Sequence, residues 1–404
     1  MNEGQMAFSQ VMAHGSRFVL DRCIRRYDGN RRVRRLSCRD QYLAMSFAQL
    51  TYRESLRDIE ACLGAVPDKL YHLGIRGSVA RSTLADANEK RDWRIFADFA
   101  QRLVVEARHL YVDEPLGLEE LDQRERTVYA LDATTIDLCL SVFPWARFRS
   151  TKAGVKMHTL LDLRGSIPAF TWITEARFAD VRILDALVTE PGSIYLFDRA
   201  FIDFVRLHRL NEAHAIFVTR AKRGIKWKRI YSRPVDRTTG LICDQTIRLT
   251  GTRSAQDYPA HLRRVAYRDP DTGNKIDFLT NDFTLLALTV TELYRLRWQV
   301  ELFFKWIKQH LRIKTFYGTS ADAVRTQIWI AISVYLLVAI ARKRLGIERD
   351  LYTILQILSV YPFEKAPLLS VYPFEKAPLA QLLSASGYTP KEGDIRNQLW
   401  LFDL

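Results

Sequence analysis

The segment TVYALDATTIDLCLSVFPWARFRSTKAGVKMHTLLDLRGSIPAFTWIT, Thr127–Thr174, decides the fold class. It holds three short runs rich in β-branched and apolar residues, Thr127–Asp132, Val155–Asp162 and Ile167–Thr174, and each reads as a strand. Downstream, Ser193–Asp198 (SIYLFD) and Ala215–Thr219 (AIFVT) read the same way, now set off by helical stretches at Ala179–Leu187 and Phe201–Ala213. Three successive strands, then strands alternating with helices, predict an α/β fold built on a mixed sheet with helices packed against it.

On either side of this block the pattern changes. Residues 1–125 read as a helical N-terminal domain. In it Leu43, Phe47, Leu50, Leu56, Ile59 and Leu63 keep helical periodicity over Asp40–Leu63, Thr51-x-x-Glu54 offers a capping box, and a further helix starts near Ser82 or Thr83. Residues 222–283 are β-rich, with strands expected at Gln245–Leu249, Leu262–Tyr267 and Lys275–Thr280 and a hairpin turn at Asp269–Asn274 (DPDTGN). This stretch reads as an insertion into a sheet domain spanning 126–345, which resumes as helix over Leu285–Arg312 and Ala321–Leu345. In the tail, 346–404, the segment LSVYPFEKAPL at Leu358–Leu368 recurs unchanged at Leu369–Leu379; an identical pair reads as an in-frame duplication in a loop, not as a solenoid.

Composition narrows the function class. With 48% hydrophobic and 26% charged residues over 404 positions, the chain is an ordered globular protein and neither disordered nor fibrous. The net charge is +14, and Arg22, Arg25, Arg26, Arg31, Arg32, Arg34, Arg35 and Arg39 crowd a stretch whose only acid is Asp28, which points to a polyanionic partner. The five cysteines show no C-x-x-C pair and no metal-ligand spacing, as fits a reducing cytoplasm. The apolar run Ile328–Ala341 is 14 residues, short of the roughly 20 that a membrane span needs, and reads as a buried helix. The first residues lack the basic and apolar regions of a secretion signal, so no membrane or export is expected.

Chemistry concentrates in three places. On the helix expected at Thr291–Arg312, Tyr294, Arg297, Glu301 and Lys308 fall within about 60° of one another at ~100° per residue, while Leu293, Leu296, Val300, Phe303, Phe304 and Ile307 cluster on another side. Taken alone, Arg297 and Glu301 read as an ordinary i,i+4 ion pair. Asp132 follows the apolar run YAL, and Asp198 follows IYLF. An acid placed at the end of a hydrophobic strand is costly unless it meets a cation, an arginine or a cap donor. Together with Glu301 the two aspartates give three hard oxygen donors on separate elements, the composition that holds Mg²⁺ against phosphates. Two such ions about 3.5 to 4 Å apart serve phosphoryl transfer.

The spacing of Tyr294, Arg297, Glu301 and Lys308 resembles the signature of the IS-four family of DDE insertion-sequence transposases. Asp132 in its Asp-Ala-Thr context and Asp198 in its Asp-Arg-Ala-Phe context are similar to that family's first and second catalytic aspartates. Phe8–Ala100 also resembles the N-terminal domain of many bacterial members, and the likeness covers roughly residues 8 to 358. The resemblance implies an RNase H-like core with a β-rich insertion and Asp132, Asp198 and Glu301 as ligands of two Mg²⁺ or Mn²⁺ ions. It further implies double-stranded DNA partners, the element's terminal inverted repeats and a target, joined in a homodimeric synaptic complex on the bacterial nucleoid. Tyr294, Arg297 and Lys308 would then meet phosphate.

Further DNA contacts are expected at Arg31, Arg32, Arg34 and Arg35, at Lys222, Arg223 and Trp227 of the basic KRGIKWKR run, and at Trp298. Core packing is the plainer reading of Trp298, and a solvated face that of the arginines. Lys152, Lys156 and His158 could line a DNA channel, but a lone histidine on a strand is more often simply hydrogen-bonded. Two alternatives remain: a DNA-binding protein that no longer cuts, and an RNase H-like nuclease of repair or recombination. The three retained acids speak against the first; the arginine-rich N-terminus and the long insertion speak against the second.

Overall fold

A computed structural model describes residues 6–123, 126–310 and 316–363. Its strands are β1 (Val128–Leu138), β2 (Arg147–Arg149), β3 (Lys152–Asp162), β4 (Ile167–Glu175), β5 (Ile194–Phe197), β6 (Ile216–Arg220), β7 (Trp227–Arg233), β8 (Leu241–Leu249), β9 (Leu262–Arg268) and β10 (Lys275–Thr280). β4, β3 and β1 pair antiparallel, then β5 and β6 add parallel to β1. This order, with helices on both faces, is the RNase H-like mixed sheet expected from the sequence. The insertion does not form a separate sheet. Its last strand, β10, pairs antiparallel with β6, and β9, β8 and β7 follow, so that ten strands form one continuous sheet.

Alternation along the strands sorts the two faces. Val128, Ala130, Ile194, Leu196 and Val218 point to one core, shared with the N-terminal helices and the helices Trp298–His310 and Ala321–Arg344. Tyr129, Leu131, Tyr195, Phe197 and Phe217 point to the other, where Leu207 and Leu210 of the helix Phe204–Glu212 cover them. By this parity Asp132, Asp198 and Arg220 belong to the face that the helix Trp298–His310 covers.

The apolar run read as a buried helix is one: Ala321–Arg344 has 24 residues and is long and apolar enough to cross a membrane, yet 94% of its apolar window lies inside the protein. Tyr42 on the helix Cys38–Leu50 meets Ser333 at 3.0 Å, and the Tyr111 hydroxyl donates to the Ala339 carbonyl at 2.9 Å. At the β3–β4 turn Gly165 has φ +75°, and a Cβ there would stand 2.2 Å from the Tyr111 ring, so only glycine lets the turn seat on the N-terminal helices.

Several local expectations need correction. The single helix expected over Asp40–Leu63 is two, Cys38–Leu50 and Leu56–Gly64. The capping box belongs to Ser37 and Asp40, while Thr51 ends the first helix and donates its hydroxyl to the Phe47 carbonyl. Ala179–Leu187 holds only the short 3₁₀ turn Asp180–Asp185, and β7 is a strand the sequence reading missed. The duplicated segment lies outside the described residues from position 364 onward.

Candidate active site

Leu131 of β1 and Phe197 of β5 form the last pair of their parallel ladder, and Phe197 pairs with Thr219 of β6. The next residues, Asp132, Asp198 and Arg220, therefore stand in one row across the carboxyl ends of the parallel strands. β5 ends here because Asp198 opens a tight turn in which the Phe201 amide donates to the Asp198 carbonyl at 3.0 Å. β1 does not end: it runs on to Leu138, paired with β3 throughout, so the expectation of Asp132 at a strand terminus is corrected to a mid-strand position. Only its β5 side is open, and that is the side facing Asp198.

The expected helix Thr291–Arg312 is also two pieces, Ala287–Leu296 and Trp298–His310, joined at Arg297. At the joint the Arg297 amide bonds to the Tyr294 carbonyl and the Val300 amide to the Arg297 carbonyl, each three residues back. Such a local tightening of a helix is frequent at functional positions. From the joint Arg297 reaches two acids at once, Nη1 donating to Asp132 Oδ2 at 3.1 Å and Nη2 to Glu301 Oε1 at 2.6 Å. Its Nε, also buried, has no partner among the described residues.

Burial pushes the Asp132 carboxyl up to about 6; the Ala133 amide and Arg297 pull it down, and the Glu301 and Asp198 carboxylates push it further up. Asp198 has no side-chain hydrogen bond or ion pair to any described residue. Tyr294 lies beneath Arg297, its ring 5.7 Å from the guanidinium carbon and 5.0 Å from the Phe278 ring. Its hydroxyl is held above the ordinary tyrosine value, first by burial and, among its neighbours, by the Asp198 carboxylate. Lys308, two turns beyond Glu301, donates to the Thr135 carbonyl of β1 at 2.7 Å. The sequence pattern thus brings Asp132, Asp198, Tyr294, Arg297, Glu301 and Lys308 to one edge.

Among the described residues no three carboxylate, histidine or cysteine side chains lie close enough to enclose an ion, since Arg297 sits between Asp132 and Glu301. The donor chemistry nevertheless fits a hard divalent cation. Asp198 has no ion pair among the described residues, and Asp132 carries the raised affinity for protons that a crowded, half-buried acid shows.

Other expected contacts fall elsewhere. Lys222 follows β6 and donates to the Ile202 carbonyl just past the Asp198 turn, so it and exposed Arg223 flank the same edge. Trp227 begins β7 with the Arg264 guanidinium 5.3 Å from its ring, and Trp298 is half-buried beside the helix joint. Arg31, Arg32, Arg34 and Arg35 are exposed in the N-terminal helical region, outside this cluster. His158 is buried and bonded to the Thr174 hydroxyl at 3.0 Å, the plainer of its two readings. Arg220 is the residue the sequence reading missed; its signal was a basic residue directly after the apolar run IFVT.

Residues 123–337 match the family profile described as Transposase DDE domain, which takes in more than half of the chain. The chain belongs to this transposase family. Residues 3–76 match a second profile, a Domain of unknown function (DUF4372). The protein y4zB of Sinorhizobium fredii (strain NBRC 101917 / NGR234), named as a transposase, is 33% identical over 66% of this chain and 72% of its own length. The transposase named for insertion sequence element IS5377 of Geobacillus stearothermophilus is 34% identical over 51% of this chain and 54% of that protein. Among solved structures, the piggyBac transposase synaptic complex with hairpin DNA is 10% identical with a TM-score of 0.45, covering 99% of this chain and 87% of that one. This DDE transposase is accordingly an enzyme of DNA transposition, and its class implies divalent-metal chemistry.

Proposed function

We propose that this transposase is of the IS-four type and that Asp132, Asp198 and Glu301 are its catalytic acids. The observation that carries the reading is the single guanidinium of Arg297 joining Asp132 to Glu301, with Asp198 one strand away in the same row. Three acids distant in sequence converge at one half-buried edge beside cationic side chains, an arrangement suited to phosphodiester chemistry. These carboxylates would hold two Mg²⁺ or Mn²⁺ ions, which when bound supply Lewis-acid activation of the attacking oxygen and stabilise the leaving one.

The chain's own residues do the rest. Arg297 and Lys308 offer charge-assisted donors to phosphate oxygens, Tyr294 offers a neutral hydroxyl, and Arg220 offers a guanidinium with no partner among the described residues. Lys222, Arg223 and Trp227 carry DNA past the edge, while residues 1–125, with Arg31, Arg32, Arg34 and Arg35, bind the element's terminal inverted repeats. Two copies join the two ends, and the place of action is the bacterial nucleoid. The test is Mg²⁺-dependent cutting of a fragment carrying the gene's own flanking ends, parent beside Glu301→Ala, on a strand-resolving gel. Boundary cuts by the parent alone support the reading; equal cutting by both overturns it.

A further inference from the structure

A second cationic site lies in the N-terminal helices. A cavity of about 300 Å³ opens between the helices Arg17–Arg26 and Cys38–Leu50, with Leu20, Leu43 and Phe99 in its lining. Arg39 enters it half-buried, its guanidinium against Gly74, with no hydrogen bond or ion pair to any described residue. The acids nearby are already engaged. Asp40 accepts from the Ser37 amide and hydroxyl and from the Arg76 amide, and Asp21 faces Arg17 at 3.6 Å. Burial, with Arg17 and Arg76 as like-charged neighbours, holds Arg39 below the ordinary arginine value against the opposing pull of Asp21 and Asp40. A guanidinium taken partly out of water and left without a bonded anion carries a cost that a bound one relieves.

Two features select the anion. The lining includes Tyr71, 83% exposed, a flat aromatic group that shares the cavity with Arg17 and Arg39. The helix Arg17–Arg26 also starts at this cavity, turning its amino end towards it. A sugar-phosphate backbone matches both features, with the phosphate on the arginines and the sugar against the aromatic rim.

We propose that this cleft is a phosphate subsite for duplex DNA, with Arg39 as its anchor, Arg17 in its lining and Arg76 close by. The inference rests on the DNA-binding reading above but moves the anchoring contact from the exposed Arg31–Arg35 loop to a built cleft.

The test is binding of the full-length protein to a labelled duplex carrying the gene's flanking ends, measured across a salt series. The proteins are the parent, Arg39→Gln and the double variant Arg17→Gln/Arg76→Gln, whose exposed positions leave folding intact. Arg39→Gln is expected to bind about tenfold more weakly, with a salt slope shallower by roughly 0.9. The double variant should move affinity and slope in the same direction. Parental affinity and slope in both variants overturn the subsite while leaving the DNA-binding reading intact, whereas no duplex binding by the parent overturns both. Calorimetric binding of inorganic phosphate at Arg39 with an unchanged DNA slope would assign the cleft to a free anion and overturn the proposal.

Discussion

Asp132 and Asp198 stand at the same level on adjacent parallel strands, one residue beyond the paired Leu131 and Phe197, yet among the described residues only Asp132 has an arginine partner. That asymmetry separates the fold's requirements from those of the chemistry. Asp132 is compensated within the protein, whereas Asp198 stays open to a partner from outside it.

Asp198→Asn should therefore cost the fold nothing, with stability unchanged or raised by up to about 1 kcal/mol, because the replaced charge has no partner to lose. Cleavage of the element end should fall by more than about a hundredfold while DNA binding stays near the parent's. Thermal melts, a binding titration and a cleavage gel on the same preparation read all three. A destabilised variant would mean that Asp198 holds the fold.

Arg297→Lys keeps the charge but cannot bridge two acids with one planar group. Stability is expected to drop by about 1 to 2 kcal/mol in urea denaturation, as one charge-assisted bond is lost at a partly exposed site. Single-turnover cleavage should slow more than binding weakens. If the lysine restores parental rates, bridging by Arg297 is not what the site needs.

Arg263 ties the insertion to the start of the helix Ala287–Leu296. It holds Asp244 through two bonds of 2.8 Å and donates to the Leu285 carbonyl at 2.6 Å, just before the helix that carries Tyr294. Both partners are nearly inaccessible, so Arg263→Ala leaves Asp244 buried with, among the described residues, only Arg233, 3.4 Å away. A loss of about 3 kcal/mol or more is expected, and Arg263→Met with Asp244→Leu should recover much of it. Equal melts for the alanine variant and the parent would contradict this role.

His158 sets a pH dependence of stability. Burial lowers its pKa to about 4, with Lys156 acting in the same direction and Asp180 opposing. The unfolded chain takes up this proton near 6.5, and the folded one does not until about 4. Between those values the unfolded state binds more protons, so stability present above pH 6.5 is lost as the pH falls. The advantage of the parent over His158→Gln should shrink by about 1.4 kcal/mol per pH unit across that window. A difference that stays constant with pH would mean that His158 does not titrate this way.

The sheet was legible because its central strands are buried on both faces and read as unbroken apolar runs, IYLF before Asp198 above all. The limits were equally physical. After Asp132 the strand continues as Ala133 to Leu138, where Thr134, Thr135 and Asp137 break the apolar run although the backbone stays paired with β3. β7 was invisible because Lys228, Arg229, Ile230, Tyr231 and Ser232 are all exposed, so no alternation marks the strand. The joint at Arg297 has no glycine or proline to announce it, and the four residues expected on one helical face share an edge across the break. Arg39 was counted only as one arginine among eight, since nothing in a charge run tells which member is drawn into a cleft.

The most direct measurement replaces Mg²⁺ with Fe²⁺ in the full-length protein and maps where hydroxyl radicals, generated with ascorbate and peroxide, cut its backbone. Fragment ends clustered beside residues 132, 198 and 301, suppressed by excess Mg²⁺ and lost in Asp198→Asn, are the result predicted by a shared metal site at these acids. Cuts elsewhere in the chain, or cuts at these positions that Mg²⁺ does not suppress, would contradict it.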